Sequence, residues 1–260
     1  MLHLTSTEIL IFSAVFGLLM GSFLSMLTWR LPRIMDLDGT EQFKKISVSR
    51  SACPSCQTPL TWKQLFPLFS WLISKGKCQH CQTKISARYP LIELTTAIFT
   101  VVSISLYGLT IEGYLAVLFS YFIITISVID LEHHLILDNL SLPLLWIGLL
   151  INTQSIYTTP SSAIFGAVLG YMILWSIFQL FKMITGKEGM GFGDFKFLAA
   201  LGAWFGADAI AQIILIASVS SVLVAVLLLA IKSKSIQSQI PFGPYLALGG
   251  VFTLVMGNLI

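Results

Sequence analysis

"IAQIILIASVSSVLVAVLLLAI", residues 210–231, holds no Asp, Glu, Lys or Arg over its whole length. A helix needs about 20 apolar residues to cross the hydrocarbon core of a bilayer, and this stretch has them. Similar runs recur along the chain. Only 10% of the 260 residues are charged and 56% are apolar, whereas a soluble domain carries about 25% charged residues. The pattern predicts an all-α integral membrane protein of about eight transmembrane helices, near 8–29, 91–108, 113–130, 140–153, 162–182, 193–207, 210–231 and 243–260. The first run lacks a basic flank and a small-residue cleavage site, so it reads as a membrane helix and not as a cleaved signal peptide.

The gaps between spans are short except the first, which is polar and holds all four cysteines. The expected organisation is a first membrane helix (1–29), a small zinc-binding domain (30–90), and a membrane core of about seven helices (91–260). Ten of the fifteen Lys and Arg lie in the first gap. The others are Lys182, Lys187, Lys196, Lys232 and Lys234. Threading eight spans places the gaps near 109–112, 154–161 and 208–209 on the opposite side, and these carry no Lys or Arg. Positive residues mark the cytoplasmic side, which predicts a cytoplasmic four-cysteine loop and an N-terminus outside. The basic residues thus serve orientation and contact with membrane lipid. They are not interleaved with a stacking surface, and no nucleic-acid partner is expected.

"CPSC" (Cys53, Cys56) and "CQHC" (Cys78, Cys81) form two Cys-x-x-Cys knuckles. At this separation four thiolates can converge on one Zn²⁺. A reducing cytoplasm argues against disulfides. Four protein ligands leave no open position, so the metal is expected to be structural. His80, between two ligands, is read as an exposed loop residue.

Carboxylates in apolar spans are costly, about 2.5–3.5 kcal/mol at a helix centre, and mark functional sites. Asp130 ends the third span in "SVIDLEHHLILDN" and Asp194 opens the sixth in "GMGFGDFKF". The threading places both at the cytoplasmic boundary. Two carboxylates at one depth suit an aspartic-protease dyad, which shares a proton and titrates as a unit. The ionised partner activates water and the protonated one polarises the scissile carbonyl. Gly191 and Gly193 would let a substrate backbone approach. Taken singly, Asp194 is a candidate helix N-cap and Asp130 a water-exposed helix end. Glu132, His133, His134 and Asp138 read as a solvated loop. Glu132 and Asp138 are also candidates to hold a basic substrate segment.

These motifs resemble the type IV prepilin peptidases, membrane aspartic proteases with a Gly-x-Gly-Asp motif. "GMGFGDFK" is similar to the second catalytic motif and "VIDLEHHLILD" to the first, which implies Asp130 and Asp194 as the catalytic pair. "GSFLSMLTWRLP" (21–32), "RYPLIEL" (88–94), "PFGPYLA" (241–247) and the paired knuckles also match, so the resemblance covers nearly the whole chain. It implies cleavage of a short basic leader from prepilins and type II secretion pseudopilins at the cytoplasmic face, commonly after Gly and before Phe. It also implies a bacterial inner-membrane location and methylation of the new amino terminus with S-adenosylmethionine. This chain departs from the pattern at Ser25, where Asn is usual, and at Leu137, where Pro is usual. From the residues alone, a proton-coupled transporter and a membrane-anchored zinc module that recruits a partner are the competing classes.

Overall fold

The computed structural model describes residues 5–48, 50–231 and 240–259. Lys232 and Lys234, which entered the orientation reading, lie outside the described residues. The chain forms two compact units, Met1–Thr125 and Ile126–Ile260.

In the first unit, α1 (Ser6–Ile34) starts at Thr5. The Thr5 side chain accepts from the Glu8 amide, and Glu8 returns a bond to the Thr5 amide, a capping box that satisfies two otherwise free donors. α2 (Gly39–Ser47) follows, then the cysteine segment, α3 (Phe69–Ile73) and α4 (Arg88–Tyr107). α1 and α4 pair closely because Gly17 and Gly21 carry no side chain. A Cβ at either would stand 2.6 Å from the Cα of Ala97 or Glu93. Small residues permit this approach between apolar helices, where van der Waals packing replaces the hydrophobic effect. α5 (Ile111–His133) begins in this unit and ends in the second.

The second unit continues with α6 (Asp138–Asn152), α7 (Pro160–Thr185), α8 (Phe192–Phe205), α9 (Ala209–Ala230) and α10 (Gly243–Met256). α8 is its core. Phe195, Phe197, Leu198, Leu201, Ala203 and Trp204 all have 0% exposure, and α6, α7, α9 and α10 each pack against it. A helix apolar on every side can face lipid or be enclosed by protein, and here it is enclosed. Gly202 lets α8 meet α7, since a Cβ there would run into the Gly166 carbonyl. Asn152, fully buried, ties the far end. Its Nδ2 donates to the Ala203 and Trp204 carbonyls, and its Oδ1 accepts from the Tyr157 and Thr158 amides.

A helix stands at each of the eight anticipated positions, and the fold is all-α. Five of them, α1, α4, α5, α7 and α9, are long and apolar enough to cross a membrane. α6 has 15 residues, α8 14 and α10 14, or about 21–23 Å at 1.5 Å per residue against a core of about 30 Å. Glycines bound two of these, with Gly191 preceding α8, Gly206 ending it at φ +87°, and Gly257 ending α10 at φ +74°.

Candidate active site and metal centre

The third span does not stop at Asp130. α5 runs on to His133, and the chain reverses at His134 (φ +53°), whose amide donates to the Asp130 carbonyl at 2.9 Å. Asp130 therefore lies one turn inside the helix and is 5% exposed, which excludes the water-exposed helix end. Gly191 occupies the N-cap of α8 with extended backbone (φ −81°, ψ 151°), and Asp194 falls in the first turn. Asp194 is buried too, and it is not the cap.

The two carboxylates come from helices joined by a long excursion through α6 and α7, yet one residue, Ile136, packs both against Gly193, next to Asp194, and against Gly243, which meets Asp130. Their hydrogen bonding is unequal. Asp130 Oδ2 accepts from the Gly243 amide at 2.8 Å, a buried bond at the start of α10. Asp194 Oδ1 is buried with no hydrogen-bond partner. Buried polar atoms are nearly always satisfied, so an orphan acceptor marks a place where a water, proton or substrate group belongs.

Ile136 is the wedge between the elements. A Cβ on Gly193 would stand 2.7 Å from Ile136 Cβ, and one on Gly243 would stand 3.1 Å from Ile136 Cδ1 and 2.7 Å from Asp130 Oδ2. Gly193 is thus small because Ile136 fills its space. Gly191 is different. A Cβ there would meet only Asp194 Oδ2 at 3.8 Å and the Gly193 amide at 4.0 Å, so the backbone beside the carboxylate is open. Behind Asp194, Phe195 packs edge-on against Phe192, Phe178 and Tyr171 with centroids 5.5–5.9 Å apart, which fixes the α8 start on α7.

The remaining candidates sit apart in role. Asp138, the first residue of α6, accepts from Lys196 through both carboxylate oxygens at 2.7 Å. Glu132 is exposed on the last turn of α5 and His134 is exposed beyond it. Leu137, where the resemblance expects proline, has φ −78°, close to the angle proline imposes. The angle at this residue is one that either leucine or proline can adopt. Gly243 was missed from the sequence. "PFGPYLA" was noted only as a resemblance, and a backbone donor leaves no mark in side-chain pattern.

The four cysteine sulfurs lie within 4.8 Å of one another, and Cys53 Sγ is 3.8 Å from Cys81 Sγ. Sulfurs at about 2.3 Å from a tetrahedral zinc are about 3.8 Å apart, so the donor set fits the ion. All four are free thiols. The knuckles are built alike. The Cys53 amide donates to the Thr58 carbonyl and the Gln57 amide to the Cys53 carbonyl. Cys78, Thr83 and Gln82 repeat this pattern. Gln57 and Gln82 take φ +57° and +59°, and the outer cysteines Cys56 and Cys81 each lie 3.3 Å from the Thr58 or Thr83 hydroxyl. That hydroxyl holds both thiols below their usual range, Cys81 at about 6, which favours the thiolate a metal requires. The shared "Cys-x-x-Cys-Gln-Thr" was legible in the sequence, and only its cysteines were read. His80 is exposed, as expected.

The model of the type IV leader peptidase family matches residues 117–229, and that of the bacterial peptidase A24 N-terminal domain matches 15–107. The chain is 40% identical over 262 residues to the prepilin leader peptidase/N-methyltransferase of Aeromonas salmonicida, covering 95% of this chain and 90% of that one. It is 40% identical over 258 residues to the protein of the same name from Pseudomonas aeruginosa (94% and 89%), and 40% over 260 to that from Xanthomonas campestris (95% and 91%). No solved structure matches. The chain belongs to the type IV leader peptidase family and is a multi-pass membrane protein.

Proposed function

We propose that the chain cleaves the basic leader from prepilins and pseudopilins and then methylates the new amino terminus, with Asp130 and Asp194 as its proteolytic pair. The family and its relatives' names support the two activities. The observation that carries the residue assignment is the pair itself. Two buried carboxylates flank the same side chain, Ile136; one is held by a backbone donor, and the other presents an unpartnered oxygen.

The inequality suggests roles. An amide N–H on Oδ2 suits an ionised carboxylate, so Asp130 takes the proton of the attacking water. Asp194 carries the shared proton and donates it to the scissile carbonyl as the tetrahedral adduct forms. The adduct then collapses, the amine leaves with a proton from the dyad, and the leader carboxylate is released. The open backbone at Gly191 admits the substrate chain. Gly193 serves this indirectly, by letting Ile136 seat α8. Glu132 and Asp138 are the candidate contacts for the basic leader. Asp138 is already paired with Lys196 and would reach a leader only by exchanging that partner.

The basic-residue bias favours an inner-membrane orientation with the N-terminus outside and the aspartates and cysteine segment toward the cytoplasm. One structural zinc held by Cys53, Cys56, Cys78 and Cys81 would cross-link the two knuckles. S-adenosylmethionine, when bound, supplies the methyl group for the second activity.

Purified Asp130→Ala, Asp130→Asn, Asp194→Ala and Asp194→Asn variants should each lose prepilin cleavage while remaining folded in detergent. Wild-type cleavage by a folded variant at either position would overturn the assignment. Methylation of a pre-cleaved pilin peptide by the same preparations scores the second activity separately.

A further inference from the structure

The segment between the two knuckles, "TWKQLFPLFSWLISK" (61–75), lies outside every helix long enough to span a membrane, yet it exposes its apolar side chains. Trp62 is 74% exposed and Ile73 77%, with Leu65, Phe66, Phe69 and Leu72 also open. The Phe66 and Phe69 rings, one from each half of the segment, lie 5.7 Å apart in a tilted pair. A patch of this size in water marks a missing partner.

Two observations say what covers it. First, the middle of the segment is pinned at a known height. The Leu68 amide donates at 2.8 Å to Glu93 Oε2, a buried residue of α4 whose backbone packs against Gly21 of α1. Glu93 is five residues past Arg88, where α4 begins, or about 8 Å along the helix. The backbone takes an unusual conformation to reach it, with Leu68 at φ +58° and ψ −55°. The segment is thus drawn down beside the first turns of a membrane-spanning helix. There, Leu91, Leu94 and Ile98 continue the exposed apolar surface along α4. Second, its edges are cationic. Lys63 lies over the Trp62 ring at 5.5 Å, and Lys75 and Lys77 follow α3, all exposed. An apolar face about 5–10 Å below the headgroups, rimmed by Lys and anchored by Trp, is how a segment lies in a bilayer interface.

We propose that residues 62–73 form an interfacial anchor, seated in the headgroup–acyl boundary of the leaflet that receives the start of α4, with Glu93 holding its depth. The partner is the lipid of that leaflet. The four-thiol cluster, which this segment joins end to end, is then held flat against the membrane surface by lipid as well as by the chain. This inference depends on the membrane helices and not on the proteolytic reading.

Full-length protein in nanodiscs of phosphatidylcholine and phosphatidylglycerol tests it. The emission of wild type minus that of Trp62→Phe isolates Trp62. Brominated acyl chains should remove most of that difference emission, and aqueous acrylamide should barely touch it. The reverse pattern overturns the proposal. Photoreactive benzoylphenylalanine in place of Phe69 should yield lipid adducts. An adduct at twice the chain mass, or one with a prepilin, would show instead a second copy or the substrate on this face and would also overturn it. The substitution at Phe69 leaves Trp62 in place, so each arm reads independently of the other's folding.

Discussion

At the scale of single residues, the two aspartates were legible and their setting was not. Carboxylates are scarce in apolar sequence, so Asp130 and Asp194 stand out, and the distribution of Lys and Arg predicts one depth for them. Gly243 stands 113 positions from Asp130 and acts through its amide. No side-chain pattern reports a backbone donor. Gly193 before a carboxylate reads from the sequence as substrate access, and the structure adds that the space beside it holds Ile136. Gly243→Ala is the direct probe, since its Cβ would stand 2.7 Å from Asp130 Oδ2 and force the carboxylate aside. A charge-assisted hydrogen bond contributes about 1.5–3 kcal/mol, so kcat for cleavage should fall roughly ten- to hundredfold with KM little changed. An unchanged kcat would show that the bond does not position the dyad.

At the scale of elements, helix positions were legible from apolar runs and helix ends were not. Charge at Asp130 reads as the close of the third span, whereas α5 continues to His133 through the exposed Leu131 and Glu132. The Asp138–Lys196 pair joins the starts of α6 and α8 across 58 positions, a separation at which charge pattern says nothing about contact. Asn152 at the opposite end makes four backbone bonds between α6, α8 and the turn before α7. Asn152→Ala leaves those groups buried without partners and should cost on the order of 2–4 kcal/mol, read as a lowered unfolding midpoint in detergent. Surface exchange at Lys196→Gln should cost under about 1 kcal/mol, because an exposed ion pair contributes little. The knuckles are elements too. Metal analysis should find one zinc per chain, and Cys78→Ser should abolish it together with protease resistance of the 50–85 segment. A metal-free wild-type chain would refute the zinc reading and leave the dyad untouched.

At the scale of the molecule, the four-thiol cluster and the dyad fall in separate compact units, which accords with a chain whose relatives are named for two activities. Fold class was legible because composition alone excludes a soluble core. The enclosure of α8 was not legible, since a helix apolar on all sides reads equally as lipid-facing or as core. That enclosure bears on how the protein is made. A segment of 14 residues, with Asp194 and Lys196 in its first turns, is a poor independent passenger for the insertion machinery. α9 and α10 leave the ribosome after it, and both cover it. Chains arrested near residue 208 should therefore hold residues 192–205 only loosely in the bilayer, accessible to a water-soluble thiol reagent at an introduced cysteine, and should lose that accessibility once α10 is synthesised. Asp194 would then be delivered to the neighbourhood of Asp130 during biogenesis by late helices closing over an earlier one.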